Sequence, residues 1–228
     1  MKKYKYILSK QKMTRFLISQ QIFFFFLGAF GGFIWEVILY LIQDGTFVKR
    51  GFFHGPWLPI YGTGAVTFYL LLAHPIKRAR ALLIRMGQHS HGASIPQPIR
   101  QTLNRPFRQT ATAHLTNLLK LFSLSLLIGT GIELVIGWFL DTFFGLRYWT
   151  YEGVPFNFHG YICVSSSLCF GLAGVIWVGY LSDFVTRLWI KIPIKIREEI
   201  NTILVLLFLL DCVAALLLPN MGNSITFH

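Results

Sequence analysis

The sequence has few acidic residues and few cysteines. Asp and Glu number 9 against 21 Lys and Arg. Only 13% of the 228 residues are charged, against about 25% in an average soluble domain. The three cysteines, Cys163, Cys169 and Cys212, fall in apolar segments, which argues against a disulfide framework or a zinc site. With 54% hydrophobic residues, the composition is not that of a soluble domain.

Several catalytic motifs are absent from the sequence as well. No Gly-rich loop is followed by Lys and Ser or Thr, so this chain carries no P-loop for ATP hydrolysis. His-Glu-x-x-His, Cys-x-x-Cys and Gly-x-Ser-x-Gly are also missing. No cofactor and no metal are expected, whether the chain is an enzyme is left open, and any energy source would come from a partner or a gradient.

Long apolar segments dominate what is present. Five of them approach the ~20 residues that a helix needs to cross a ~30 Å hydrocarbon core. They cover residues 22–42, 56–74, 118–140, 160–181 and 200–219. Because backbone polar groups in hydrocarbon need internal partners, runs of this length are helices. The sequence therefore predicts an all-α, polytopic membrane helix bundle with five transmembrane helices.

Basic residues concentrate in alternate connections between these segments. Eighteen Lys and Arg lie in the N-terminus and in the second and fourth connections, counting Lys120 at the start of the third segment, and three lie elsewhere. Since cytoplasmic connections retain positive charge, the N-terminus is predicted inside and the C-terminus outside. The chain divides into a basic N-terminus (1–21), a two-helix unit (22–74), a basic loop (75–117), a second two-helix unit (118–181), a second basic loop (182–199) and a final helix with an external tail (200–228). The basic connections should face anionic lipid, and their placement between spans argues against nucleic acid.

The two units share a pattern of polar residues. Glu36 and Glu133 are 97 residues apart, and each has a Gly four residues before it and an Arg fourteen residues after it. A Phe-His-Gly triplet follows in both units, displaced by eight further residues in the second. An even number of spans separates the units, so they are predicted to be parallel repeats, with a fifth helix added. The matching positions are Gly32, Glu36, Arg50 and 53–55 in the first unit, and Gly129, Glu133, Arg147 and 158–160 in the second.

Acidic residues inside spans are costly and usually face the bundle interior. We therefore expect Glu36 and Glu133 to meet near the external face, with Arg50 and Arg147 as partners or as a clamp for an anion. Alternatively, these pairs only join the two repeats, and Trp57 and Trp149 belong to the aromatic belt at the membrane interface. Asp211 is a further acid in a span, suited equally to helix packing or to transport. The other candidate substrate-binding residues are His54, Trp57, Trp149, Asn157 and His159.

The run from Arg50 to Gly62, preceded by Trp35-Glu36, resembles the hallmark of a bacterial membrane family, the putative ABC-transporter permeases of type IV. The segment from Arg147 to Tyr151 and the segment from Pro155 to Ile162 resemble the second block of that family. The resemblance implies a multi-pass permease subunit of the bacterial cytoplasmic membrane. Such a subunit would carry an unknown substrate, for which an anion is one candidate, with a separate ATPase or as a homodimer.

Two other functions are compatible with the same residues. One is a membrane enzyme that acts at the outer leaflet on a lipid-linked or phosphorylated substrate, with the arginines binding the anion and the glutamates or histidines transferring protons. The other is an accessory subunit in which the polar pairs have a structural role only.

Overall fold

The computed structural model describes residues 2–45, 47, 51–73, 111–218 and 226–227. Two pairs of antiparallel two-residue strands accompany the helices. They are β1 (Leu146–Arg147) with β4 (Thr226–Phe227), and β2 (Asn157–Phe158) with β3 (Ile162–Cys163). The helices are α1 (Lys2–Asp44), α2 (Pro59–Ala73), α3 (Ala111–Phe144), α4 (Val164–Lys191) and α5 (Ile194–Leu217). The predicted all-α helix bundle is confirmed, and it contains helices that are able to span a membrane.

Four of these helices are long and apolar enough to cross a membrane. They comprise Thr14–Ile42 of α1, Leu115–Phe144 of α3, and the whole of α4 and α5. The described part of α2 has 15 residues, about 22 Å of helix, and is shorter than a ~30 Å core. The five-span arrangement therefore stays a prediction, as does the basic loop 75–117, of which only 111–117 lie within the described residues.

The connection between the last two helices is shorter than the sequence suggests. Helix α4 continues to Lys191, ten residues past its predicted end, and α5 begins at Ile194. Pro193 explains the break, because its ring disfavours helical backbone at the preceding residue, and Ile192 is extended. Most of segment 182–199, predicted to be a basic loop, is thus helical.

The helices pack as two hairpins, α1 with α2 and α3 with α4. Small residues let the helices of each hairpin approach closely, as is typical of membrane bundles. A side chain at Gly62 would meet the backbone oxygen of Phe25, and one at Gly174 would collide with Ser125.

An aromatic cluster joins the two hairpins. The ring of Phe24 contacts Tyr69 and Trp177 edge-on, with centroids 5.0 and 4.9 Å away. Nε1 of Trp177 donates a hydrogen bond of 2.8 Å to the backbone oxygen of Ala65. Tyr69 and Trp177 each begin a π-helical turn, and these two turns contact each other.

Candidate functional site

Each of the two glutamates predicted to lie in the bundle interior is hydrogen-bonded to a hydroxyl group. Glu36 lies in α1, and its Oε1 accepts a hydrogen bond of 2.6 Å from the Tyr61 hydroxyl of α2. Glu133 lies in α3 and is 5% exposed; its Oε1 accepts from the Tyr151 hydroxyl at 2.8 Å and its Oε2 from Ser166 Oγ at 3.1 Å. Because a buried polar group without a partner costs roughly 1–3 kcal/mol, these hydroxyls stabilise the acids within the bundle.

Ser166 occupies the position that corresponds to Tyr61 when the two units are aligned on Phe-His-Gly. The triplets are 105 residues apart, and so are the two hydroxyl-bearing residues. Helices α2 and α4 also begin at corresponding positions, Pro59 and Val164. Helix starts and glutamate–hydroxyl bonds therefore occupy matching places in the two hairpins.

The two glutamates lie close enough for their charges to interact. Electrostatic contacts link Glu133 with Glu36, and link Tyr61 with both Glu133 and Tyr151. Tyr151 lies in the loop between α3 and α4, where burial and then the charge of Glu133 raise its pKa. Its phenol therefore stays protonated and donates. We call Glu36, Tyr61, Glu133, Tyr151 and Ser166 the carboxyl cluster.

The glycine one turn before each glutamate makes room for the opposing helix. Residues four apart lie on one face of a helix, so Gly32 lies on the same face of α1 as Glu36, one turn closer to the N-terminus. A Cβ atom at Gly32 would overlap the Tyr61 ring. In the second hairpin a Cβ atom at Gly129 would lie 2.6 Å from Cβ of Phe170. The shared Gly and Glu spacing thus reflects close helix packing beside a buried acid.

Arg147 binds two other acids near the end of α3. Its Nε and Nη2 donate to Oδ2 of Asp141 at 3.0 and 2.9 Å, and its Nη1 donates to Glu152 at 2.8 Å. The guanidinium carbon lies 5.0 Å from the centroid of the Tyr161 ring. The hydrogen bond to Asp141 raises the pKa of Arg147 further above the physiological range.

The pairing expected between arginines and glutamates therefore differs in the second unit. Glu133 is held by hydroxyls, and Arg147 by Asp141 and Glu152. The length of α3 explains this difference. Eleven residues of helix, about 16 Å, separate Glu133 from the end of α3, and Arg147 lies beyond that end. Arg50 lies outside the described residues, so its proximity to the cluster stays a prediction.

Trp149 and Asn157 organise the loop between α3 and α4 (residues 145–163, the second hairpin loop). Nε1 of Trp149 donates to the backbone oxygen of Tyr161 at 2.9 Å. The Asn157 side chain donates to the backbone oxygen of Val154 at 2.8 Å and accepts from the Gly160 amide at 3.1 Å. Both candidates thus shape the loop that carries Tyr151.

The two histidines lie at exposed positions. His159 has a positive φ of 50°, and its ring centroid lies 4.7 Å from that of Phe158. Nε2 of His54 lies 2.7 Å from the backbone oxygen of Leu218; since a carbonyl only accepts, Nε2 is the donor. The described contacts of both histidines are thus with loop and helix-end groups.

Asp211 of α5 holds the loop between α1 and α2 (residues 51–58, the first hairpin loop). Its Oδ1 accepts from the amide of His54 at 2.9 Å. Its Oδ2 accepts from the amide of Gly55 at 2.8 Å and from Nε1 of Trp57 at 2.6 Å. Trp57 therefore contacts the last helix, and Asp211 organises this loop.

Three residues of this region escape prediction from the sequence: Tyr61, Ser166 and Asp141. Tyr61 and Ser166 each stand eight residues after the Phe of a Phe-His-Gly triplet, so comparing hydroxyl-bearing residues between the units would have found them. Asp141 carries no comparable signal, because acids at helix ends are common.

Comparison with known proteins decides the family. The model of the family described as Putative ABC-transporter type IV matches residues 23–216. The chain belongs to this family. It matches no curated protein and no solved structure. The match to the type IV family covers the carboxyl cluster, both hairpin loops and Asp211.

In this type IV family member, the carboxyl cluster contains groups that can bind and exchange protons. Two carboxyl groups and three hydroxyls supply both acceptors and donors. In the part of the chain that the structure describes, no group of three His, Cys, Asp or Glu side chains is arranged to hold a metal ion.

Proposed function

We propose that the chain is the membrane-spanning permease subunit of an ABC transport system in the bacterial cytoplasmic membrane. The family match carries this proposal, and the four helices of spanning length agree with it. The sequence has no P-loop, so a separate ATPase subunit supplies the nucleotide site.

The two hairpins are parallel repeats in this proposal, with the N-terminus inside and the C-terminus outside. The corresponding helix starts and the bonds from Tyr61 to Glu36 and from Ser166 to Glu133 support the repeats. A pseudo-twofold axis would then pass between the two glutamates, and the solute would cross beside them.

The polar groups of the pathway are the two glutamates rather than Arg147. An anion clamp needs guanidinium donors that are available to the substrate, and three nitrogens of Arg147 already contact Asp141 and Glu152. Glu36 and Glu133 lie between the hairpins, where a small relative movement would change their surroundings.

The ATPase would dock on the surface that carries Lys191 and Lys195, together with the basic loop 75–117. Both lysines are exposed and flank the bend at Pro193. Because this bend joins two long helices, movement of a bound subunit would reach α4 and α5 together.

Gentle extraction from native membranes tests the proposal. The full chain should copurify with a nucleotide-binding subunit, and the complex should hydrolyse ATP. Charge reversal in the double variant K191E/K195E should release the ATPase. The control E199Q, which changes an exposed residue of α5, should not. Copurification with no ATPase, together with no ATP-dependent uptake in vesicles, would contradict it.

A second candidate, an accessory subunit, is supported by the hydroxyl groups of Tyr151 and Ser166, which lie within hydrogen-bond distance of the two carboxylate oxygens of Glu133. If the cluster only joins the hairpins, E133Q lowers the amount of folded protein. If it lines a pathway, E36Q and E133Q leave abundance near that of the parent and abolish uptake. Measuring abundance and uptake in the same vesicles separates the two functions.

A further inference from the structure

An open apolar groove lies between α5 and the first hairpin. Its volume is about 320 Å³, and its walls come from α1, α2 and α5. Phe25, Val66, Val205 and Phe208 contribute to the lining, and Gln21 is its one polar member. Helix α5 thus leaves space beside α1 along part of their length.

A polar stripe leads along α5 into this groove. Arg197, Asn201 and Val205 are spaced four residues apart and share one helix face. The guanidinium carbon of Arg197 lies 5.4 Å from the centroid of the Phe16 ring, and the Asn201 amide donates to Ser19 at 2.9 Å. From its N-terminal end, the stripe presents a cation, an amide and then apolar side chains.

Several buried polar atoms at this end have no hydrogen-bond partner among the described residues. They are Nε of Arg197, Oδ1 of Asn201, and both amide atoms of the Gln21 side chain. Asn201 is only 5% exposed. A purely apolar occupant would leave the donors Nε of Arg197 and Nε2 of Gln21 without an acceptor, so the site favours a ligand with a polar, negatively charged end.

We infer that the groove binds one anionic phospholipid, with its phosphate at Arg197 and an acyl chain along Val205 and Phe208. The eleven residues from Arg197 to Phe208 span about 16 Å, which is half of a ~30 Å hydrocarbon core and therefore one leaflet. Arg15 precedes Ser19 by four residues and adds a second positive charge at the same end.

The neighbouring acids leave this charge pattern intact. Glu198 and Glu199 are exposed, and lie about 100° and 200° around the helix from Arg197, so neither shares the helix face of this cation. A transmembrane helix of another protein, as the alternative occupant, would bring no phosphate to Arg197. The lipid satisfies both the cationic end and the apolar groove.

Native mass spectrometry of the full chain in detergent tests the site. Titration with phosphatidylglycerol should give one retained lipid, held more tightly than phosphatidylcholine with the same acyl chains. R197Q should weaken phosphatidylglycerol binding at least about tenfold, the scale of one lost charge-assisted hydrogen bond. R187Q, which removes an exposed cation of α4, is the matched control and should bind as the parent does.

A second variant tests the groove apart from the arginine. V205W should fill it and weaken binding of both lipids, with the melting temperature used to verify folding. Equal phosphatidylglycerol affinity in R197Q and R187Q would overturn the proposal, as would unchanged binding in V205W or a copurifying helix in place of lipid. Inorganic phosphate that binds as tightly as the lipid would also overturn it. None of these results depends on whether the chain works with an ATPase.

Discussion

The hydroxyl of Tyr61 donates a hydrogen bond of 2.6 Å to Oε1 of Glu36. The ring of Tyr61 packs against Gly32, which has no side chain to displace it. A helix of the first hairpin supplies the acid and its neighbour supplies the hydroxyl. The second hairpin repeats this relationship with Glu133 and Ser166. The stability of each hairpin should therefore depend on the hydroxyl and on the glycine separately.

Removing the hydroxyl of Tyr61 should destabilise the protein. Y61F leaves Oε1 of the half-buried Glu36 without this donor, so the free energy of unfolding should fall by about 1–3 kcal/mol. Denaturant unfolding in detergent measures it. Y180F, at an exposed position of α4, is the control and should unfold as the parent does. Identical unfolding of Y61F and Y180F would contradict a role for this bond.

Adding a methyl group at Gly32 should separate α1 from α2. G32A places a Cβ atom in the space of the Tyr61 ring, and overpacking of this kind costs about 1–3 kcal/mol. The preceding residue gives a matched control, because a Cβ atom at Gly31 meets nothing within 4 Å. G31A should keep the parent melting temperature or raise it slightly. Equal melting temperatures for G31A and G32A would show that helix propensity, and not packing, decides.

Replacing Asp211 should loosen the first hairpin loop. The amide side chain of D211N has one acceptor oxygen, whereas the carboxylate of Asp211 accepts hydrogen bonds from three donors, in His54, Gly55 and Trp57. Amide hydrogen exchange should become faster at His54 and Gly55, and the fluorescence of Trp57 should change. D211E restores the charge and should recover part of the protection. Unchanged exchange in D211N would mean that the loop is held by its own contacts.

Stability should become pH-dependent at alkaline pH through Tyr161. Its hydroxyl donates to Asp141 at 2.6 Å, and this hydrogen bond raises its pKa above the ordinary value of 10.0. A raised pKa stabilises the folded state fully below the ordinary pKa, and this contribution disappears as the pH rises through the folded-state value. The difference in unfolding free energy between the parent and Y161F should therefore shrink above about pH 10. A difference that stays constant across this range would refute the linkage.

Much of the fold could be predicted because hydrocarbon imposes strong rules on sequence. Apolar length identified the helices, and the spacing of Gly32 and Glu36 identified a face that packs closely. The helical segment past residue 181 was not predictable by hydropathy, since the charges of Arg187 and Lys191 indicate a loop outside the membrane. Only the position of Pro193 shows where the helix breaks.

The acidic residues of the site could be predicted from the sequence, but most of their hydrogen-bond partners could not. Glu36 and Glu133 stand out because charge is rare in a span. Tyr61 looks like any aromatic residue near a membrane surface until its ring is seen beside Gly32. The partners of Arg147 depend on how the loop folds back after α3, which spacing in the sequence does not determine.

The contact of Asp211 with His54 and Gly55 also bears on the order of assembly during synthesis. The amides that need this carboxylate are made more than 150 residues before it, as the separations in sequence show. The first hairpin can therefore insert early, but its loop acquires these acceptors only when the last helix arrives. A nascent chain that stalls before residue 211 would present that loop in an unfinished state to quality-control proteases.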